Sequence, residues 1–154
     1  MSSEESAADP REVVEAMLAR DAQAAWLGVR ILAADLGSVT LGMTVGAAHL
    51  GDHGLIHGGV LFTFADVAMA YAANSYDIAA LATGANISFV EAGYPGEVLE
   101  AVATEHNLRG RAGIYDVTIR TRAGDRLIAT FRGTTLRVGG SVLNLVPRTQ
   151  ERPA

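Results

Sequence analysis

The 154-residue chain contains no cysteine. That excludes disulfides, a thiol nucleophile and zinc–thiolate sites. Lysine is absent too: all 12 basic residues are arginine, against 17 acidic ones, for a net charge of −5. An acidic chain argues against general nucleic-acid binding, which needs a basic face. No apolar run is long enough, or free enough of glycine, to suggest a membrane span. The opening MSSEESAADP is acidic and polar, unlike a signal peptide, so a cytoplasmic protein is expected. There is no phosphate-binding loop and no dinucleotide-binding glycine pattern, and no His/Asp/Glu group has metal-ligand spacing. What is abundant is apolar: 49% of the residues are hydrophobic. That suffices for one domain with a sizeable core, with some apolar surface left to bury between subunits.

Residues 1–8 read as disordered, 9–146 as one domain, and 147–154 as a flexible tail. Asp9-Pro10-Arg11-Glu12 is a helix start, with an Asp cap, Pro at the first position and Glu at the third. Val13, Val14, Met17 and Leu18 make one face of a short helix ending near Asp21. WLGVRILAAD and SVTLGMTV read as two strands around Leu36-Gly37. A long apolar helix follows, opening on His57-Gly58-Gly59 and ending at Asn74. Four strands are predicted at 80–91, 97–107, 112–122 and 126–138, separated by Tyr94-Pro95-Gly96, Arg109-Gly110 and Gly124-Asp125. Because the helix is apolar on every side, it must be surrounded. The predicted fold class is therefore α+β: a hotdog arrangement, a curved antiparallel sheet wrapped around one central helix.

LIHGGVLFTFADVAMAYAANSY, residues 55–76, holds the chemistry. A helix start presents unpaired N–H groups and partial positive charge, and Gly58-Gly59 let a substrate approach them. Such a site can hold a carbonyl oxygen as it becomes an oxyanion. Two turns further along the same face, roughly 10 Å at helical rise, stands the acid Asp66. A carboxylate there either pairs with an arginine at a helix edge or serves a reaction; spacing alone leaves both open.

The motifs HGGVLFTFADVAMAYAANS, DAQAAWLGV, YDV and FRGTTLRVGG resemble those of the phenylacetic-acid-degradation (PaaI-type) thioesterases of the hotdog superfamily, from about Asp9 to Gly140. The resemblance implies a hotdog fold and acyl-CoA thioester hydrolysis, with phenylacetyl-CoA or hydroxyphenylacetyl-CoA as the suggested substrate. It implies that Asp66 is the catalytic carboxylate, that Gly58 gives its N–H to the thioester carbonyl, that His57 lies beside it, and that Thr83 stands near a hydroxyl serving the attacking water. It further implies a homotetramer built as a dimer of dimers, with sites where subunits meet. No metal or redox cofactor is expected, coenzyme A being part of the substrate. One departure is Gly51, where the family often has Asn.

Other residues are candidates for binding. Gly59 shares the helix start, and Phe62 or Tyr71 would line an acyl pocket. Arg109, Arg111, Arg132 and Arg137 sit at or near strand ends and together would meet coenzyme A phosphates, with Gly139 allowing close approach of the nucleotide. Each arginine taken singly reads as solvated rim. Two other functions share the fold. Asp52 and His57 match the spacing of a hotdog enoyl-CoA hydratase, although that pattern wants Asn-Pro between them. A non-catalytic acyl-CoA-binding protein is the third reading, and residues 1–22 are too short and acidic for the DNA-binding segment such regulators carry.

Overall fold

The computed structural model describes residues 7–146. The expected flexible tail and all but two residues of the expected disordered N-terminus lie outside that range. Helix α1 spans Pro10–Arg20, and Asp9 caps it by accepting the Arg11 N–H at 3.0 Å. Asp21 ends α1 and at once starts α2, Ala22–Leu27, by accepting the N–H groups of Gln23 and Ala24. Gly28 closes α2 in the left-handed region at φ 68°. This corrects the expectation of a strand beginning at Trp26: the cap and the glycine stop enclose six residues as a helix, and strand β1 covers only Arg30–Asp35.

The remaining elements are β2 (Ser38–Thr44), α3 (Gly58–Asn74), β3 (Ala80–Phe89), β4 (Val98–Arg109), β5 (Ala112–Thr121) and β6 (Leu127–Arg137). The six strands form one sheet in the order β1-β2-β4-β5-β6-β3, with every neighbouring pair antiparallel. Strand bounds fall within a few residues of those predicted. Alternation explains why: Leu99, Ala101 and Ala103 on β4 and Tyr115, Val117 and Ile119 on β5 point inward, while their neighbours face out. Helix α3 lies against β2 through β6. Each large side chain buried there stabilises the fold by about 1.5–3 kcal/mol. Met69 sits so close to β6 that a Cβ at Gly133 would overlap its sulfur and force the methionine to move.

This is the hotdog fold, with one difference from the expectation of a fully enclosed helix. Val60, Leu61, Phe64, Ala65, Val67, Ala68, Met69, Tyr71, Ala72 and Ala73 are buried, but Gly59, Phe62, Thr63, Asp66 and Ala70 are not. Those five make a single open stripe at helical spacing. Strand β3, at one edge of the sheet, is also uncovered. It is ten residues long, carries no charge and no proline, and is exposed over most of its length.

Candidate active site

The start of α3 is held from several sides. The His57 N–H donates to the His49 carbonyl at 2.9 Å. His49 is itself buried and fixed, accepting the Gly46 N–H at Nδ1 and meeting the Trp26 carbonyl through Nε2. His57 is the N-cap of α3: its Nδ1 accepts the Gly59 N–H at 2.9 Å, and its carbonyl accepts the N–H groups of Val60 and Leu61. With Nδ1 an acceptor, the neutral ring carries its proton on Nε2. Among the described residues no protein group accepts the Gly58 N–H. Gly59 is thus committed to His57, and the free donor is Gly58, the glycine expected to serve the thioester carbonyl. Replacing His57 with Ala should cost about 1 kcal/mol of stability, the usual worth of an N-cap, whereas His57→Asn should retain most of it. Urea unfolding of the two variants measures the difference.

The Phe89 ring, at the end of β3, lies against Gly58. A Cβ there would come within 3.0 Å of it. A side chain at 58 would therefore press on the Phe89 ring, which would have to shift by a few tenths of an ångström. Leu55, Ile56, Leu61, Phe89 and Gly93 line a cleft of about 340 Å³ beside this helix start. The Ile56 N–H donates to the Gly93 carbonyl at 3.0 Å. Arg126 steadies the same loop, reaching Glu91, Glu97 and the Ala92 carbonyl.

Asp66 is half-buried on the open stripe, and no described group donates a hydrogen bond to it. Desolvation raises its pKa above the ordinary carboxylate value, and the Asp21 carboxylate raises it further. A carboxylate that is reachable, unpaired and more basic than usual is suited to take a proton from water or to attack a carbonyl. Asp66 comes eight positions after Gly58 (66 − 58), about 12 Å along the axis. One helix therefore presents both groups but does not bring them together.

The other expected residues are placed as follows. Phe62 is partly exposed on the stripe, edge-on to Phe131. Tyr71 is fully buried, so it does not line a pocket; its hydroxyl donates to Asp21 at 2.9 Å. Thr83 stands at a bulge in β3, with its hydroxyl 2.9 Å from that of Thr134, whose position on β6 faces away from α3. Arg132 is held by two bonds to Asp116, so it is not a free cation. Arg137 lies over the Tyr76 ring, and Arg109 and Arg111 flank the β4–β5 turn, all at the end of the sheet where β3 begins. Gly139, just beyond, is left-handed at φ 87°. Gly58 is at the opposite end. The Asp52 carboxylate is solvent-exposed, 3.8 Å from the His53 ring. It makes no bond to His57, so the hydratase pair is not formed. No group of three or more ligating side chains among the described residues could hold a metal, and no helix among them is long and apolar enough to cross a membrane. Two residues were not singled out from the sequence: Phe89, hidden in ordinary strand alternation, and Asp21, which reads as a plain helix cap.

Known proteins share this architecture. A family model described as thioesterase superfamily matches residues 53–128. The acyl-coenzyme A thioesterase PaaI of Escherichia coli is 39% identical over 127 residues, covering 82% of this chain and 90% of that protein. Its structure superposes with a TM-score of 0.84 over 86% of this chain and 96% of the other, at 38% identity. A putative esterase of Archaeoglobus fulgidus is 38% identical over 112 residues, covering 73% of this chain and 72% of its own. A mutant form of the phenylacetic acid degradation protein PaaI from Thermus thermophilus superposes at a TM-score of 0.73 and 33% identity, covering 77% of this chain and all of the other.

Proposed function

The chain belongs to the PaaI-type acyl-CoA thioesterases of the thioesterase superfamily and is a thioester hydrolase; from that premise we propose that it cleaves aryl-acyl-CoA, of the phenylacetyl or hydroxyphenylacetyl type, at sites shared between two copies of the chain. The observation that carries this reading is the placement of Asp66: an unpaired acid on the open stripe of α3, too far from its own Gly58 to act on the same carbonyl. Reacting atoms must approach within about 3–3.5 Å. A second α3 running antiparallel brings the partner's Asp66 to this Gly58, and a two-fold axis makes two such sites.

Strand β3 supports that assembly. A long, uncharged, exposed edge is what monomers normally avoid, by charge, proline or cover. Pairing β3 with the partner's β3 covers the edge. Antiparallel pairing sets the start of one strand beside the end of the other. That moves Arg109, Arg111 and Arg137 toward the partner's Gly58, where they serve the phosphates of coenzyme A. The cleft under Phe89 takes the pantetheine arm, and the open helix stripes face one another.

In the reaction, the Gly58 N–H holds the thioester oxygen as charge develops on it. The His57 Nε2–H lies beside the same end of α3. Asp66 either takes a proton from the attacking water or attacks the carbonyl carbon itself, to be released by water in a second step. Either way the C–S bond breaks, coenzyme A leaves as a thiolate that takes up a proton, and the acid is released. The Thr83 hydroxyl shares one hydrogen bond with Thr134 and keeps capacity to meet the attacking water. The chemistry needs no metal or redox cofactor. Purified protein should therefore release free thiol from phenylacetyl-CoA at the same rate with and without EDTA. Hydration of an enoyl-CoA with no thiol release from any acyl-CoA would overturn the reading.

A further inference from the structure

The open stripe of α3 runs into a second cleft. About 540 Å³ lies between α1, the second half of α3, the start of β3 and the segment after β6. Met17, Ala70, Leu81, Val142 and Leu145 give it apolar walls. Ala70 follows Asp66 by one helical turn, so the cleft opens beside the acid. Its outer wall is anchored. Asp77, held in the left-handed region at φ 59°, accepts the Ser141 hydroxyl and the Leu143 N–H, and Arg20 donates to the Val142 carbonyl.

Two polar side chains of this cleft, Asn74 and Asp21, differ in what they have left to offer. The Asn74 amide is used up in tying α3 to β3: it donates to the carbonyls of Ala70 and Ala80 and accepts the Ala80 N–H. Asp21 Oδ1 accepts two N–H groups from α2, and Oδ2 accepts only the Tyr71 hydroxyl at 2.9 Å. A carboxylate oxygen accepts about two hydrogen bonds, so Oδ2 has one position open. Three donors hold this carboxylate in a single orientation, in a cleft whose one cation among the described residues, Arg20, is turned to the Val142 carbonyl.

We propose that this cleft receives the acyl group and that Asp21 is a specificity-determining residue, accepting a hydrogen bond from a hydroxyl on that group. This rests on the acyl-CoA hydrolysis argued above. The Asp21 carboxylate lies near enough to Asp66 to raise its pKa. A hydroxyl donor gains a charge-assisted bond.

The test is kcat/KM for phenylacetyl-CoA and its ring-hydroxylated isomers, measured on the wild type, Asp21→Asn and Ala70→Phe. Asparagine caps a helix as well as aspartate does, so Asp21→Asn should fold with α2 intact. The wild type should prefer at least one hydroxylated isomer over phenylacetyl-CoA by about 10- to 100-fold, the worth of one hydrogen bond to a charged group. Asp21→Asn should erase most of that preference, read as the ratio of kcat/KM for the hydroxylated isomer to that for phenylacetyl-CoA. Ala70→Phe, which fills the cleft, should lower all the aryl substrates together by about 10-fold or more. An unchanged hydroxyl preference in folded Asp21→Asn, or no preference in the wild type, overturns the inference while leaving hydrolysis standing. No thiol release from any acyl-CoA by the wild type would instead remove the hydrolytic reading and this inference with it.

Discussion

Asp66→Ala should lower kcat by about 10²-fold or more while the protein stays folded, on the scale of losing a positioned general base. The expectation follows from how the residue is held. An acid kept on a helix stripe for structure would have a donor, and the described residues give Asp66 none. Stability should point the same way. Burial and the neighbouring Asp21 raise the Asp66 pKa, so the carboxyl binds its proton more tightly in the folded chain than in the unfolded one. Its contribution is then most favourable when protonated and is lost as pH rises through the folded-state pKa. Asp66→Ala should therefore be at least as stable as the wild type at neutral pH, with its advantage shrinking on acidification. The same raised pKa moves the acid limb of the wild-type rate profile upward from the ordinary carboxylate value. Steady-state kinetics and urea melts across pH check both statements. Near-normal turnover in the folded variant would remove Asp66 from the reaction, and a much larger loss in Asp52→Ala would favour the hydratase.

Most of the fold could be read in the sequence because local chemistry set it. The four strands after α3 followed from alternation between turn residues, and the cap at Asp9 and the glycine at 58 marked helix starts that the structure keeps. Helix α2 was missed because AQAAWL is too short to show a period, and its boundaries depend on Asp21 serving two helices at once. The enclosure of α3 was overestimated for a different reason. An apolar surface shows that water is to be excluded and says nothing of which chain excludes it, so the stripe through Phe62, Asp66 and Ala70 looked like core. For the same reason Tyr71 could not be told from a stripe residue until its ring was seen inside and its hydroxyl on Asp21. Within the site, Gly58 and Asp66 were legible as a donor and an acid at helical spacing. That Gly59 is spent on His57, and Arg132 on Asp116, depends on contacts that spacing does not carry.

The largest expected effect is a recovery of activity. Gly58→Pro removes the one free N–H at the start of α3. Residue 58 is the first helical position, where proline is tolerated, and the exposed Phe89 ring must yield by a few tenths of an ångström. Loss of an oxyanion donor should cost about 10²–10³ in kcat. Asp66→Ala and Gly58→Pro should thus each be nearly inactive as homodimers. If each site takes Gly58 from one subunit and Asp66 from the other, a mixed dimer carries both lesions in one site and neither in the other. The decisive measurement is thiol release by the two variants refolded together, beside each refolded alone, with mixed dimers verified by differential tagging. Activity of the mixed dimers should rise to about half that of the wild type, if the two sites act independently. Mixed dimers that form and remain as inactive as their parents would contradict a site shared between subunits.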